Sequence, residues 1–255
     1  MPSGRIPTTH ILKPPTAQFD GHAENEHFCL SLARKLGLPA ASSSVIRFGE
    51  EVAVVVERYD RQHTTQGIRR VHQEDMCQAM GVPPTQKYEN EGGPGVARIV
   101  NLLRDNSGSS AEDVGTFIEA IAFNWLIGGT DAHAKNYSIL FGGGSVRLAP
   151  LYDVASILPY DDIDPMRATL AMKLGGEYRI RDTSVRSWIK LAQEIGSPGE
   201  KVVETVRSLA NRLPDAIGAV HADMHVAGMT HMMVDRLAER LTMRAARCEA
   251  MLTPG

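Results

Sequence analysis

The sequence has little cysteine, no cysteine pair and no apolar leader. Its three cysteines, Cys29, Cys77 and Cys248, are scattered and odd in number. That argues against a disulfide scaffold and against a thiolate zinc centre. Cys29 and Cys77 fall inside apolar helical patterns and read as buried small hydrophobes. The opening MPSGRIPTTH has no apolar signal region. The most apolar stretch, 117–127, is interrupted by Glu119 and Asn124 and is too short to span a bilayer. A soluble, cytoplasmic protein with no membrane partner is expected. The net charge of -3 gives no bulk positive charge for direct nucleic-acid binding, although a local basic patch stays open. There is no internal repeat and no low-complexity tract.

What is present is enough apolar chain for one large domain or two lobes, at 255 residues and 43% hydrophobic content. The spacing predicts a short strand over 9–12, stopped by Pro14 and Pro15. A helix over 25–36, closed by Gly37, and a hairpin of strands 44–48 and 52–57 follow. Residues 62–69 read as a polar connector, 73–80 as a helix and 83–95 as a loop. Helices over 96–103 and 111–127 precede a hairpin, 137–141 and 146–151, around Gly142-Gly143-Gly144. A short strand at 169–174 and amphipathic helices over 183–195, 198–213 and 230–251 complete the chain. The layout is a small strand-rich lobe, a connector and a larger helical lobe.

The most informative stretch is Thr130-Asp131-Ala132-His133-Ala134-Lys135-Asn136. It follows the long apolar helix and precedes the second hairpin, after which comes Asp153. Phosphoryl transfer needs accurately placed charge more than reacting groups. One carboxylate orients the acceptor hydroxyl, and a carboxylate with an amide oxygen holds Mg²⁺ against the ATP phosphates. D-x-x-x-x-N, a hairpin and a further Asp supply that set in order. Asp131 would position the acceptor and take its proton, while Asn136 and Asp153 would bind metal. The plainer alternative is that each is a turn former or helix cap. His133 is open between contacting phosphate and bracing the loop.

The collinear segments TTHILKPP, AENEHFCLSLARKLGL, VVVERYDR, QEDMCQAMGVPPTQKYENEGGPG, FNWLIGGTDAHAKNYSIL, RLAPLYDVAS and LAMKLGG resemble the HipA-like serine/threonine protein kinase family over about residues 7–175. The resemblance implies an α+β, two-lobed protein-kinase-like fold. Its strand-rich N-lobe would be truncated (about 1–61), and its catalytic lobe mostly helical (about 62–255). It implies ATP and Mg²⁺ as cofactors and Ser or Thr on a protein as acceptor. Known members are toxins of toxin–antitoxin systems. They act on targets that include aminoacyl-tRNA synthetases and often pair with a small DNA-binding antitoxin. By the same resemblance, Lys13 is the nucleotide-phosphate lysine, with Glu26 as ion-pair partner or helix-terminal charge. The backbone of Glu57-Arg58-Tyr59 would bind adenine. Asp60 would accept from ribose or form a solvated pair with arginine, and Tyr59 packs. ENEGGPG reads as a structural turn.

The sequence departs from the family ahead of Lys13, where Gly4 is the only glycine and no glycine-rich phosphate loop is seen. The expectation is weak or no kinase turnover by this chain alone. An inactive kinase-like protein that binds an antitoxin is the competing reading, and a small-molecule phosphotransferase is a third. His221, Asp223 and His225, with His231 nearby, are metal-capable types but read as solvated or capping histidines. The methionines at 224, 229, 232 and 233 read as core filling, and Asp161, Asp162 and Asp164 as a solvated loop.

Overall fold

The computed structural model describes residues 8–15 and 19–253. Gly4, the glycine ahead of the lysine strand, lies outside the described residues. Strand β1 (His10–Lys13) is followed by helix α1 (His22–Lys35) and a hairpin of β2 (Ser43–Phe48) and β3 (Glu51–Glu57). These strands form one antiparallel sheet in the order β1-β3-β2. The central β3 carries the run Ala53-Val54-Val55-Val56, all buried. Ala23 of α1 packs with Val54 and Val56.

Residues 62–69, read as a polar connector, instead lie within a second hairpin, β4 (Arg61–Thr64) and β5 (Gly67–Arg70). Its side chains are mostly exposed, so it carries no apolar alternation to betray it. The helix expected over 73–80 divides into strand β6 (His72–Asp75) and one helical turn, α2 (Met76–Ala79). A capping box makes the switch: Asp75 Oδ1 accepts from the Gln78 amide at 2.9 Å, and Gln78 Oε1 accepts from the Asp75 amide at 3.0 Å.

Helices α3 (Val96–Asn106) and α4 (Ser110–Ile127) lead to β7 (Ser138–Gly142) and β8 (Ser145–Leu148). With β6 these make a sheet ordered β6-β7-β8. A two-stranded ribbon of β9 (Thr169–Leu174) and β10 (Glu177–Arg179) precedes α5 (Val185–Glu194), α6 (Gly199–Val226) and α7 (Met232–Leu252). Helix α6 runs well past the expected end at 213, with Pro214 inside it. An interior proline costs about 3 kcal/mol. Burial of Ala216, Ile217, Val220 and Met224 on the following turns outweighs it.

Helix α4 is the axis of the large lobe, with residues 120–127 buried on every side. Trp125 meets Trp188 of α5 edge to face, with ring centroids 5.6 Å apart. Helix α1 belongs to both lobes. Its Ala23 joins the sheet cluster, while Phe28, Leu30 and Leu32 are part of the main core. Among the described residues, no helix is long and apolar enough to cross a membrane.

Candidate active site

The connections after α4 and after β8 deliver the acidic and amide residues. Helix α4 stops at Gly128, whose left-handed backbone (φ 69°) turns the chain toward Thr130 and Asp131. A Cβ on Gly129 would lie 2.4 Å from Asn124 Oδ1, so glycine is needed for that close pass. One 3₁₀ turn, Ala134–Asn136, then leads into β7. After β8 the chain reaches Asp153, the only non-glycine with positive φ (56°) among the described residues. Such strain persists where the surroundings impose it and often marks function.

Lys13 stands at the end of β1. Its ammonium donates to Glu26 Oε1 at 2.7 Å and to Asp153 Oδ1 at 2.6 Å. Glu26 is 1% exposed and Asp153 is 52% exposed, so the lysine bridges a buried anion and a cleft-facing one. Burial alone would lower the Lys13 pKa, but Glu26 and Asp153 outweigh it and hold it raised. Burial raises the Glu26 carboxyl above its usual range against the pull of Lys13. Glu26 Oε2 has no partner among the described residues.

Asp153 lines two adjoining hollows. One is shared with His22, Thr130, Asp131 and Ser156, the other with Lys13, Glu26, Glu57 and Tyr59. Asp131 and Asp153 therefore face one cleft between the lobes. Asn136 is buried behind it, and its amide nitrogen donates to the Asp153 carbonyl at 3.0 Å. That leaves Oδ1 as the metal-capable atom of Asn136.

The tyrosine preceding ENEGGPG has a role that residue type did not signal. The Tyr88 hydroxyl donates to Asp131 Oδ1 at 2.5 Å. Burial, then this bond to a carboxylate, pushes its pKa up to about 12. His133 is buried, stands edge-on to Tyr88 at 5.2 Å, and keeps Nε2 3.9 Å from Asp131 Oδ1. Burial lowers its pKa, which favours the neutral ring. His133 is absent from the lining of either hollow.

The connector is tied to its neighbours through backbone and side chains. The Glu57 amide donates to Ser42 O at 2.8 Å and the Arg58 amide to Thr9 O at 2.9 Å. Of the three amides offered for adenine, Tyr59's is the one with no such partner among the described residues. The Tyr59 ring packs on Tyr152 at 6.0 Å. Asp60 is buried, not solvated. Both of its oxygens are taken, by Arg58 at 2.9 and 2.8 Å and by Arg61 at 2.6 Å. It anchors the connector and also lines the hollow shared by Lys13, Glu57 and Tyr59.

Residues 3–217 match the HipA-like C-terminal domain family. The chain belongs to that family. The candidate kinase Y4mE of Sinorhizobium fredii is 37% identical over 239 residues, 93% of this chain and 56% of Y4mE. The serine/threonine-protein kinase toxin HipA of Shewanella oneidensis is 28% identical over 266 residues, 98% of this chain and 59% of the toxin. The Shewanella HipA structure, solved with HipB and its operator DNA, is similar with a TM-score of 0.84 at 26% identity, over 96% of this chain and 59% of that one. The Helicobacter pylori proinflammatory kinase CtkA shares the fold alone, with a TM-score of 0.57 at 12% identity, over 95% of this chain and 86% of that one. The chain thus spans 56–59% of the Y4mE and HipA relatives.

In this HipA-like domain the family segments bind one another. ENEGGPG is a structural turn whose Glu89 Oε2 accepts from the Lys173 amide in LAMKLGG at 2.8 Å. A Cβ on Gly93 would meet Gln86 O at 2.4 Å, and one on Gly95 would meet the Glu89 carboxylate at 2.4 Å. Asn25 of AENEHF is fully buried. It donates to Ser156 O at 2.8 Å and accepts from the Ser156 amide at 3.0 Å, tying α1 to the loop after Asp153. The Tyr152 hydroxyl donates to Lys135 O at 2.6 Å, and Lys135 pairs with Asp75 at 2.6 Å. The acidic loop at 161–164 is tethered to α7 through Asp161, which pairs with Arg236 and Arg240.

Proposed function

We propose that this HipA-like domain is the catalytic lobe of an ATP- and Mg²⁺-dependent serine/threonine protein kinase. The observation that carries the reading is the Lys13 bridge between Glu26 and Asp153 beside Asp131 in one cleft. Phosphate oxygens suit an ammonium already fixed by two anions. Asp153 and Asn136 Oδ1 are hard oxygen donors, the class that Mg²⁺ takes, so the residues present fit that ion. Bound there, Mg²⁺ would neutralise charge on the triphosphate. Lys13 would hold phosphate oxygens, Glu26 would keep Lys13 charged and in place, and Asp131 would orient the acceptor hydroxyl and take its proton. Tyr88 and His133 would fix the Asp131 carboxylate.

By likeness to Shewanella HipA, solved with HipB and operator DNA, we extend the proposal to a small DNA-binding antitoxin as partner. The phosphate acceptor is then a protein hydroxyl, with an aminoacyl-tRNA synthetase as a family-level candidate. The test is equilibrium binding of a fluorescent ATP analogue with and without Mg²⁺. Saturable Mg²⁺-dependent binding that weakens at least about tenfold in Asp153→Ala supports the reading. Equal binding by Asp153→Ala would sink it. Antitoxin capture without nucleotide binding would favour the competing reading, a kinase-like lobe that only binds its partner.

A further inference from the structure

Helices α6 and α7 bring together a set of side chains that the phosphoryl-transfer reading does not use. His221 and His225 lie one turn apart on α6, and Asp235 lies in the first turn of α7. Sequence reading grouped the histidines with Asp223. Two positions along a helix point to different faces, whereas four positions share one. The third group is therefore Asp235, brought in by the turn between the helices. His231 stays apart and caps α7, its Nδ1 accepting from the Met233 amide at 3.2 Å.

His221 Nε2 lies 2.7 Å from Asp235 Oδ1, His225 Nε2 lies 2.8 Å from the same oxygen, and the two nitrogens are 3.1 Å apart. The rings stand edge to face at 77°. With neutral rings, protons cannot satisfy all three edges of this triangle. If both Nε2 atoms carry hydrogen, both donate to Oδ1, but the two N–H groups then oppose each other. If one gives up its hydrogen to accept from the other, its lone pair faces the carboxylate lone pair. A cation inside the triangle removes the conflict, because all three atoms then turn lone pairs to one centre. Ligand bonds of about 2.0–2.1 Å, spread between right angles and the tetrahedral angle, give edges of roughly 2.8–3.4 Å. The observed edges of 2.7, 2.8 and 3.1 Å run from just below that range to its middle.

We propose that His221, His225 and Asp235 form a divalent transition-metal site that staples α6 to α7. Two imidazoles and one carboxylate select zinc or a similar borderline ion, whereas Mg²⁺ prefers an all-oxygen set. All three groups are partly exposed, with side-chain exposures of 35%, 39% and 59%, so water completes the coordination. The site lies outside the cleft lined by Lys13, Asp131 and Asp153, and its occupancy stands or falls independently of nucleotide binding.

The test uses the tag-free 255-residue chain, stripped with a chelator and titrated with Zn²⁺ by calorimetry, with Mg²⁺ as control. The expected result is one saturable Zn²⁺ site, a Zn²⁺-induced rise in Tm, and no matching response to Mg²⁺. Co²⁺ in place of Zn²⁺ should give visible d–d absorption. Asp235→Asn and, separately, His221→Gln/His225→Gln should weaken binding by more than the roughly 10–100-fold typical of losing an outer-shell partner. Both should abolish the Tm rise. Circular dichroism and ATP-analogue binding equal to those of the parent would show that the variants fold. Zn²⁺ binding of equal strength in the variants, or no stoichiometric Zn²⁺ binding by the parent, overturns the proposal.

Discussion

Lys13 and Asp153 meet with Nζ 2.6 Å from Oδ1 although 140 residues separate them in the chain. The contact closes the cleft from its two sides. It joins the edge strand of the small sheet to a residue held in left-handed backbone. Neither half has a purely structural explanation: Lys13 already has a buried partner in Glu26, and Asp153 occupies a backbone state that glycine would adopt with less strain.

Two substitutions at Asp153 separate strain from chemistry. Asp153→Ala and Asp153→Gly both remove the carboxylate and should both lose Mg²⁺-dependent nucleotide binding. Alanine keeps the left-handed penalty, which glycine escapes. Asp153→Gly should therefore be more stable than Asp153→Ala by about 1 kcal/mol. Chemical denaturation of the pair measures the difference, and equal stabilities would contradict the strain argument.

Tyr88→Phe removes the hydroxyl on Asp131 and keeps the ring against His133. If Tyr88 positions the carboxylate, ATP-analogue affinity should stay within about twofold while phosphoryl transfer falls about tenfold or more. A split of KM from kcat is the readout. Lost nucleotide affinity with unchanged transfer would place Tyr88 in the binding step instead.

Asp60→Asn tests the connector. Burial would raise the Asp60 carboxyl, but Arg58 and Arg61 outweigh it and hold it below the usual range. Its contribution is therefore complete above the ordinary carboxylate pKa and is lost as pH falls through the depressed one. Removing one partner of a buried ion cluster costs about 3 kcal/mol at neutral pH. Thermal melts from pH 7 to pH 3 should show a lower Tm for Asp60→Asn at pH 7 and a gap that narrows in acid. A gap that widens in acid would refute this assignment.

Asn25→Ala leaves the Ser156 amide and carbonyl buried without their partner. Two unsatisfied buried groups cost about 2–5 kcal/mol together. Amide exchange should quicken first in the loop after Asp153 and in α1. Loss of stability under about 1 kcal/mol would mean that water replaces the side chain.

The sequence made much of this legible, and the misses share a cause. Asp131, Asn136 and Asp153 could be picked out because their spacing sits between a long apolar helix and a hairpin, both strongly patterned. Lys13 and Glu26 acquired roles only through the resemblance, since a lone lysine before Pro14-Pro15 carries no local signature. Strand β6 was hidden because its partner, β7, lies more than 60 residues away. The β4–β5 hairpin was hidden because it buries little; Gly67, in left-handed backbone, was its one local sign. Tyr88 and Asp235 were missed because each acts across a fold contact that no periodicity encodes. The arginine pair at Asp60 is buried rather than solvated because Arg58 and Arg61 converge on it in space.

The double allegiance of α1 ranks the two sides of the cleft by how firmly each is packed. Phe28, Leu30 and Leu32 sit in the main core, α1 touches both α6 and α7, and Asn25 bolts it to the loop beyond Asp153. Glu26 rides on that clamped shaft and cannot swing aside without tearing the main core. Strand β1, four residues long and paired with β3 alone among the described residues, is the lighter lever. Any on–off control of this cleft should therefore pull on the lysine's strand and leave the glutamate's helix as the fulcrum.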